Sequence, residues 1–320
     1  LVHLPAMISL NVLQILTANQ NNFPFFPLTC KSEKKLAKLS QNPIITIVFR
    51  EFNAIMVSHI PFFKKHLVFR FSEFKAHVKH HDPKNSDKKC QMALYYHCKN
   101  NQLIRIRKGL YAVNDKYDPK DVSPLIVAGK TTEDAVIAYH TALESHRIAY
   151  SHFNRHIFLT KQSTFSFDFQ GQSYRSVSPP VNKNTEENAD FGTELTTLDG
   201  VETRRTNLAR TIVDVLDRSN LSGGWEEVWR SLDSVVSFDA EFSVKYALAL
   251  GKASVIAKLG YFFDHRPGHL SIDASVTKSL MPHIPKQPYY IDRSLSKDKR
   301  VFIKKWSLVI PRYLHNREWE

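Results

Sequence analysis

Residues 71 to 113 run through two helical repeats and then a short basic ribbon. That order constrains the fold more than any other feature of the chain. "FSEFKAHVKH" (71–80) places Phe74, Ala76–His77 and Val78 on an apolar stripe, with Ser72 expected as its N-cap. "HDPKNS" reads as a turn on Pro83 and Asn85. "SDKKCQMALYYHCKN" (86–100) repeats Cys90, Leu94 and Cys98 at i, i+4 and i+8. Ala93 and His97 lie beside them, which makes an inward face. Lys88, Lys89, Gln91, Met92, Tyr95 and Lys99 form the opposite face, and Asn100 and Asn101 close the helix. "QLIRI" then alternates. Leu103 and Arg105 are expected on one side, with Ile104 and Ile106 on the other. "GLYAV" is the returning strand, and Arg107, Lys108 and Gly109 form the bend. With a weak first helix in "VSHIPFFKKHL" (57–67), the order is that of a winged helix-turn-helix. In that fold the third helix enters the DNA major groove and the hairpin lies along the backbone.

Charge points the same way. The chain has 44 Lys and Arg against 31 Asp and Glu, a net charge of +13 and a pI near 9.5. From residue 64 to 110 the cations are Lys64, Lys65, Arg70, Lys75, Lys79, Lys84, Lys88, Lys89, Lys99, Arg105, Arg107 and Lys108, against Glu73, Asp82 and Asp87. A solvated surface mixes its charges. One that faces phosphate carries an excess of cations, because each cation near a phosphate releases counterions.

At 320 residues and 42% hydrophobic, the chain is long enough for about two domains with proper cores. Residues 1–55 are expected to be a non-native or disordered extension read through from an upstream start, with Met56 the natural one. Their apolar runs are interrupted by polar residues or too short to span a membrane. Residues 56–114 form the winged helix and 115–124 a polar linker. Residues 125–320 form a mixed α/β domain, so the expected class is α/β (α+β). In that second part "TTEDAVIAYHTALESH" (131–146) reads as one capped helix. "HIFLT", "TFSFDF" and "QSYRSVS" read as strands, the last two joined at Gln170–Gly171. "ELTTLDGVETRR" is a strand pair turning at Asp199–Gly200, and Thr206 is expected to cap the helix "NLARTIVDVLDRS". Further helices follow near 224–234, 239–250 and 252–263, and "FIKKWSLVIP" ends the chain as a strand.

Enzymatic chemistry finds little footing. The ten glycines form neither a dinucleotide fingerprint nor a phosphate loop, and no G-x-S-x-G is present. Ser222 and Gly223 are followed by Glu226 and Glu227, whose adjacent acids diverge on a helix. A two-metal nucleotidyltransferase site is therefore not formed. Asp199, Glu202 and Arg204 echo a nuclease set weakly; an exposed turn is the simpler reading. His80, His81, Cys90, His97 and Cys98 lack zinc-ligand spacing, and the two cysteines fit a buried stripe. With Cys30 the thiols number three, a count that fits a reducing compartment. Asp214, on an otherwise apolar helix, calls for a partner such as an arginine. No metal or cofactor is expected.

Three segments carry a family resemblance: "LIRIRKGLYAV", "AVIAYHTALESHRIAY", and "GVETRRTNLARTIVDVLDR" followed by "GGWEEVWRSLDSV" and "VIAKLGYFFD". In their order and spacing the chain from Met56 onward resembles the AbiEi-like antitoxins of type IV abortive-infection toxin–antitoxin pairs. The resemblance implies a cytoplasmic, non-enzymatic transcriptional autorepressor that binds inverted repeats in double-stranded operator DNA. Its functional partner would be a nucleotidyltransferase toxin, with no direct contact implied, and no membrane is involved. Carried over residue by residue, it puts backbone contacts on Arg105, Arg107 and Lys108. Groove contacts fall on Lys84, Ser86, Lys88, Lys89 and Gln91, with Gln91 suited to adenine and the lysines to phosphate or guanine. A stand-alone winged-helix regulator, or a metal-dependent DNA-processing enzyme, are the other readings. Operator sequence and oligomeric state are not legible.

Overall fold

The computed structural model describes residues 59–81, 87–114, 122–181, 190–265 and 272–318. The expected extension 1–55 lies outside them. The chain is mixed α/β with several sheets. It divides into two compact units, residues 1–64 and 65–320. Helix α1 (Ile60–Lys65) carries Pro61 in its first turn, where the missing N–H leaves no bond unmade.

Strand β1 (Val68–Arg70) leads into α2 (Phe71–His81) and α3 (Asp87–Lys99). Ser72 does not cap α2. The Arg70 backbone N–H donates to Glu73 Oε2 at 2.7 Å, so the glutamate three residues on reaches back and closes the start. Helix α3 buries Cys90, Ala93, Leu94 and His97, as its spacing requires, and Cys98 is half-buried. Burial pushes both thiols above the usual cysteine value, which suits packing rather than reactivity. Asn101 turns the chain with φ 54°, the left-handed conformation that asparagine tolerates.

Strands β2 (Leu103–Arg107) and β3 (Leu110–Val113) form the hairpin, with Gly109 at φ 82°. With β1 they make an antiparallel sheet in the order β1-β3-β2. The expected simple alternation of β2 fails at one point. Arg105 pairs with Tyr111 and Arg107 with Leu110, so Ile106 is an extra, bulged residue. Leu103 and Ile106 are both buried and Ile104 is half-buried.

Of the expected linker 115–124, residues 115–121 lie outside the described residues, and Pro124 opens α4 (Pro124–Lys130). The segment 131–146, expected as one helix, is instead a turn, a strand β4 (Val136–Ile137) and a short helix α5 (His140–Ser145). Tyr139, at φ 55°, separates the last two. Tertiary context decided this: Val136 and Ile137 supply the middle of a sheet.

That sheet adds β5 (Arg155–Leu159), β6 (Ser166–Phe169), β7 (Gln172–Val177), β8 (Thr193–Leu198) and β9 (Val201–Thr206), in the order β6-β7-β5-β4-β9-β8. The β5–β7 and β4–β9 pairs are parallel and the other three antiparallel. Val68, Ile106, Leu110 and Ala112 of the first sheet share a core with Ile126–Ala128 of α4 and with Phe158, Tyr174 and Val201 of the second. Arg70 Nη1 donates to the Thr132 carbonyl at 3.1 Å, and Lys130 lies 3.4 Å from Glu73 across the same seam.

Helix α6 (Leu208–Asp217) is capped by Asn207, whose side chain accepts from the Arg210 N–H at 2.8 Å. Thr206, expected there, ends β9 and pairs its hydroxyl with Thr211 at 2.7 Å. Helices α7 (Trp225–Asp233), α8 (Ala240–Leu250) and α9 (Ala253–His265) pack with α6 around the largest apolar cluster. Helix α10 (Ala274–Leu280) and β10 (Tyr289–Tyr290) follow. The expected last strand is in fact two, β11 (Arg300–Ile303) and β12 (Leu308–Pro311), paired antiparallel, before α11 (Arg312–Asn316). The turn between them buries Trp306, whose indole N–H donates to Asp264 at 2.7 Å.

Candidate nucleic-acid interface

The outward face of α3 carries Lys88, Lys89, Gln91, Tyr95 and Lys99, all exposed, with Met92 half-buried. Lys84 and Ser86 lie outside the described residues. Asp87, at the start of α3, is drawn back onto α2: Lys75 Nζ lies 2.6 Å away and Lys79 Nζ 3.9 Å. The Lys75 hydrogen bond holds the Asp87 carboxyl below the usual aspartate value. The nearest acid on α3 is thus neutralised from behind, and the positive character of the outward face stands. Lys99 Nζ sits 5.7 Å from the Tyr95 ring centre, a cation–π contact at the far end of the same face.

The hairpin cations divide. Arg105 and Lys108 are exposed. Arg107 is half-buried, its guanidinium 4.0 Å from the Phe165 ring centre and 5.3 Å from that of Phe167. Burial lowers its pKa from the ordinary arginine value. The planar head of Arg107, expected on the DNA backbone, is engaged with the second sheet. The bulge at Ile106 is the physical reason. Without it, Arg107 would follow Arg105 and alternate away. Arg70, grouped with the cations by charge alone, is also internal, 2.8 Å from Glu73 Oε1.

A second polar cluster escaped sequence reasoning. His140 Nε2 lies 3.2 Å from Glu227 Oε1, and its Nδ1 3.5 Å from Glu144 Oε1. His156 Nδ1 lies 3.8 Å from Glu144 Oε2, and its Nε2 pairs with Gln172 at 2.9 Å. The Nδ1 atoms of both histidines are buried without a hydrogen bond. The Phe153 N–H donates to Glu144 at 3.0 Å and the Ser151 N–H to Glu227 at 2.9 Å. The available signal was the spacing: His140 and Glu144 stand at i, i+4. Among the described residues, no group of three such side chains is arranged to hold a metal ion.

Burial lowers the pKa of His140, His146 and His156 below the ordinary 6.5. These groups are neutral in the folded state, while the unfolded chain takes up protons from about pH 6.5 downward. Their contribution to stability is complete above that pH and is lost as pH falls. Glu144, raised by burial, opposes the trend at lower pH. Urea midpoints are expected to fall from pH 7 to pH 5, and His140→Gln is expected to flatten the slope. Equal midpoints for the native chain across that range would contradict the assignment of neutral buried imidazoles.

The nuclease-like residues do not converge. Asp199 is a turn residue at φ 46°. Glu202 is exposed opposite Thr197. Arg204 lies 3.7 Å from Asp190 and bonds the Glu133 carbonyl at 3.2 Å. Among the described residues, no helix is long and apolar enough to cross a membrane.

No family model matches the chain, and no curated protein matches it. Among solved structures, the chain is similar to the crystal structure of the RV2827C protein from Mycobacterium tuberculosis. Identity is 13%, coverage is 79% of this chain and 89% of that one, and the TM-score is 0.49.

Proposed function

We propose that β1, α2, α3 and the β2–β3 hairpin form a winged helix that binds operator DNA, and that the chain is the autorepressing antitoxin of a type IV toxin–antitoxin pair. One observation carries the DNA-binding part. Lys88, Lys89, Gln91 and Lys99 share the exposed face of the helix that precedes a hairpin tipped by exposed Arg105 and Lys108. In this reading α3 enters the major groove, where Gln91 contacts adenine and the lysines contact phosphate or guanine. Arg105 and Lys108 hold the backbone, and Arg107 fixes the hairpin against Phe165. The antitoxin part is supported by the resemblance of the three segments quoted above. It makes a cytoplasmic protein whose partner gene encodes a nucleotidyltransferase toxin, and it assigns the chain no chemistry of its own.

The test is binding of the full chain to its own upstream DNA and to scrambled DNA over a series of salt concentrations. Tight, selective, salt-sensitive binding is expected. Replacing Lys88, Lys89, Arg105 and Lys108 together by alanine is expected to lower the slope of log K against log salt by about 3.6, at ~0.9 per phosphate contact. Gln91→Ala is expected to relax sequence preference, with about 1–3 kcal/mol of discrimination lost at one base pair. A quadruple variant with wild-type affinity and slope would remove this face from the interface. A toxin reading frame beside the gene separates the antitoxin from a stand-alone regulator. Metal-dependent cleavage lost in Asp199→Ala would instead make the chain an enzyme.

A further inference from the structure

The small sheet near the end of the chain runs in the order β10-β12-β11, and its two faces differ. Leu308 and Ile310 of the central strand enter the largest apolar cluster, with Tyr289, Val301 and Ile303 packed against it. Val309 lies on the other face, since strand side chains alternate. The register sets Tyr290 on one side of Val309 and Phe302 on the other. Tyr290 is 36% exposed and Phe302 52%, while the valine between them is 7% exposed. The two aromatic residues thus stand about 10 Å apart at the backbone, twice the strand spacing, across a shorter side chain. Arg300 shares their face, two residues before Phe302. Its guanidinium crosses the central strand to lie 5.2 Å from the Tyr290 ring centre, and its Nη2 donates to the Arg293 carbonyl at 2.6 Å. That contact steadies the ring. Cations surround the pair. Residues 286–312 contain eight Lys and Arg against two Asp. Lys299 and Arg312 flank the paired Arg300 and Pro311, and Lys304 follows Ile303 at the other end of the strand pair. All three are exposed, and among the described residues none of them forms an ion pair. The Asp292 carboxylate is engaged locally, its Oδ1 accepting from the Ser294 N–H at 2.7 Å and hydroxyl at 2.6 Å.

We propose that this face binds single-stranded RNA, with one base stacked on Phe302, a second on Tyr290, and the neighbouring phosphates on Lys299, Lys304 and Arg312. Exposed rings on a sheet offer stacking faces to unpaired bases, and cations at their border neutralise the strand's phosphates. A duplex keeps its bases stacked and paired, so the rings add little to its binding. RNA presents unpaired bases in loops and ends without a duplex having to open. A membrane surface calls for a broader apolar face than two rings around a nearly buried valine. An acidic peptide would use the cations and leave the rings idle. The inference is independent of the operator-binding reading, which uses α3 and the β2–β3 hairpin.

The test titrates the full chain with a labelled single-stranded RNA of mixed sequence, about ten nucleotides long. Tyr290→Ala with Phe302→Ala is expected to weaken binding about a hundredfold, at ~tenfold per stacked base. Phe302→Trp keeps a stacking face and is expected to bind as the parent does. Phe302→Leu keeps only apolar bulk and is expected to lose about tenfold. Lys299→Ala with Lys304→Ala is expected to lower the salt slope by about 1.4, at ~0.7 per phosphate of a single strand. Both rings lie on the solvent side of the sheet, and urea midpoints check that each variant folds. Duplex DNA is expected to bind the aromatic double variant as it binds the parent, so a failure of operator selectivity and a failure of this face read separately. Unchanged RNA binding by the double variant, an equal loss for duplex and RNA, or Phe302→Leu binding as tightly as Phe302→Trp would overturn the proposal. So would binding to phosphatidylserine vesicles that the double variant loses, with none to RNA, because the face would then be one for a membrane surface.

Discussion

Asp214→Ala is expected to cost the fold about 3–5 kcal/mol, the range for removing one partner of a buried ion pair. Asp214 is fully buried on α6 and Arg210 is 2% exposed. Arg210 Nε lies 3.2 Å from Asp214 Oδ2, and the Tyr246 hydroxyl donates to Oδ1 at 2.7 Å. Arg210 Nη1 also donates to the Phe191 carbonyl at 2.7 Å, which ties α6 to the segment before β8. Burial pushes the Asp214 carboxyl up, while Arg210 and the Tyr246 hydroxyl draw it down. Truncating the acid takes the Asp214 carboxylate away from a buried guanidinium, whose desolvation makes the loss large. Arg210→Met combined with Asp214→Leu removes both charges at similar volume and is expected to regain most of it. Urea midpoints for the two singles and the double give the coupling directly. A small loss on Asp214→Ala would contradict the assignment of a structural ion pair.

Gly260→Ala is expected to destabilise by about 2–3 kcal/mol, at the upper end for overpacking a core. At an ordinary helical site the same change would help by about 1 kcal/mol. Here the added methyl would fall within the Trp306 ring. That ring cannot retreat, because it is fully buried and anchored through its N–H to Asp264. Trp306→Leu makes room at the cost of a cavity. The double variant should therefore lose less than the sum of the singles. A Gly260→Ala chain as stable as the parent would show that α9 and the β11–β12 turn can separate at little cost.

Much of the architecture is legible in the order of the residues. Helices α2 and α3, the hairpin at Gly109, the strand pairs around Gly171 and Gly200, and α6 to α9 announce themselves through local spacing and turn chemistry. Asp214's need for an arginine was legible too, since a buried acid in an apolar helix has few other solutions. Where reading failed, the competing influence was non-local. The stretch 131–146 has helical spacing, but the sheet needed Val136 and Ile137 between β5 and β9. Asn207 took the cap from Thr206 because the last β9 position was required for pairing with Thr193.

The same division holds for the candidate site. Sequence alone determined that α3 has a cationic face and that a basic hairpin follows it, because helix and strand periods follow from side-chain order. Only the tertiary structure decided which of those cations face outward. Asp87 turned back to Lys75 and Lys79, Glu73 took Arg70, and a single bulged residue swung Arg107 onto Phe165. Those pairings join residues 3 to 58 positions apart in the chain. Apart from the i, i+3 pair of Arg70 and Glu73, no local pattern encodes them, since they depend on which surfaces the core brings within a few ångströms of one another.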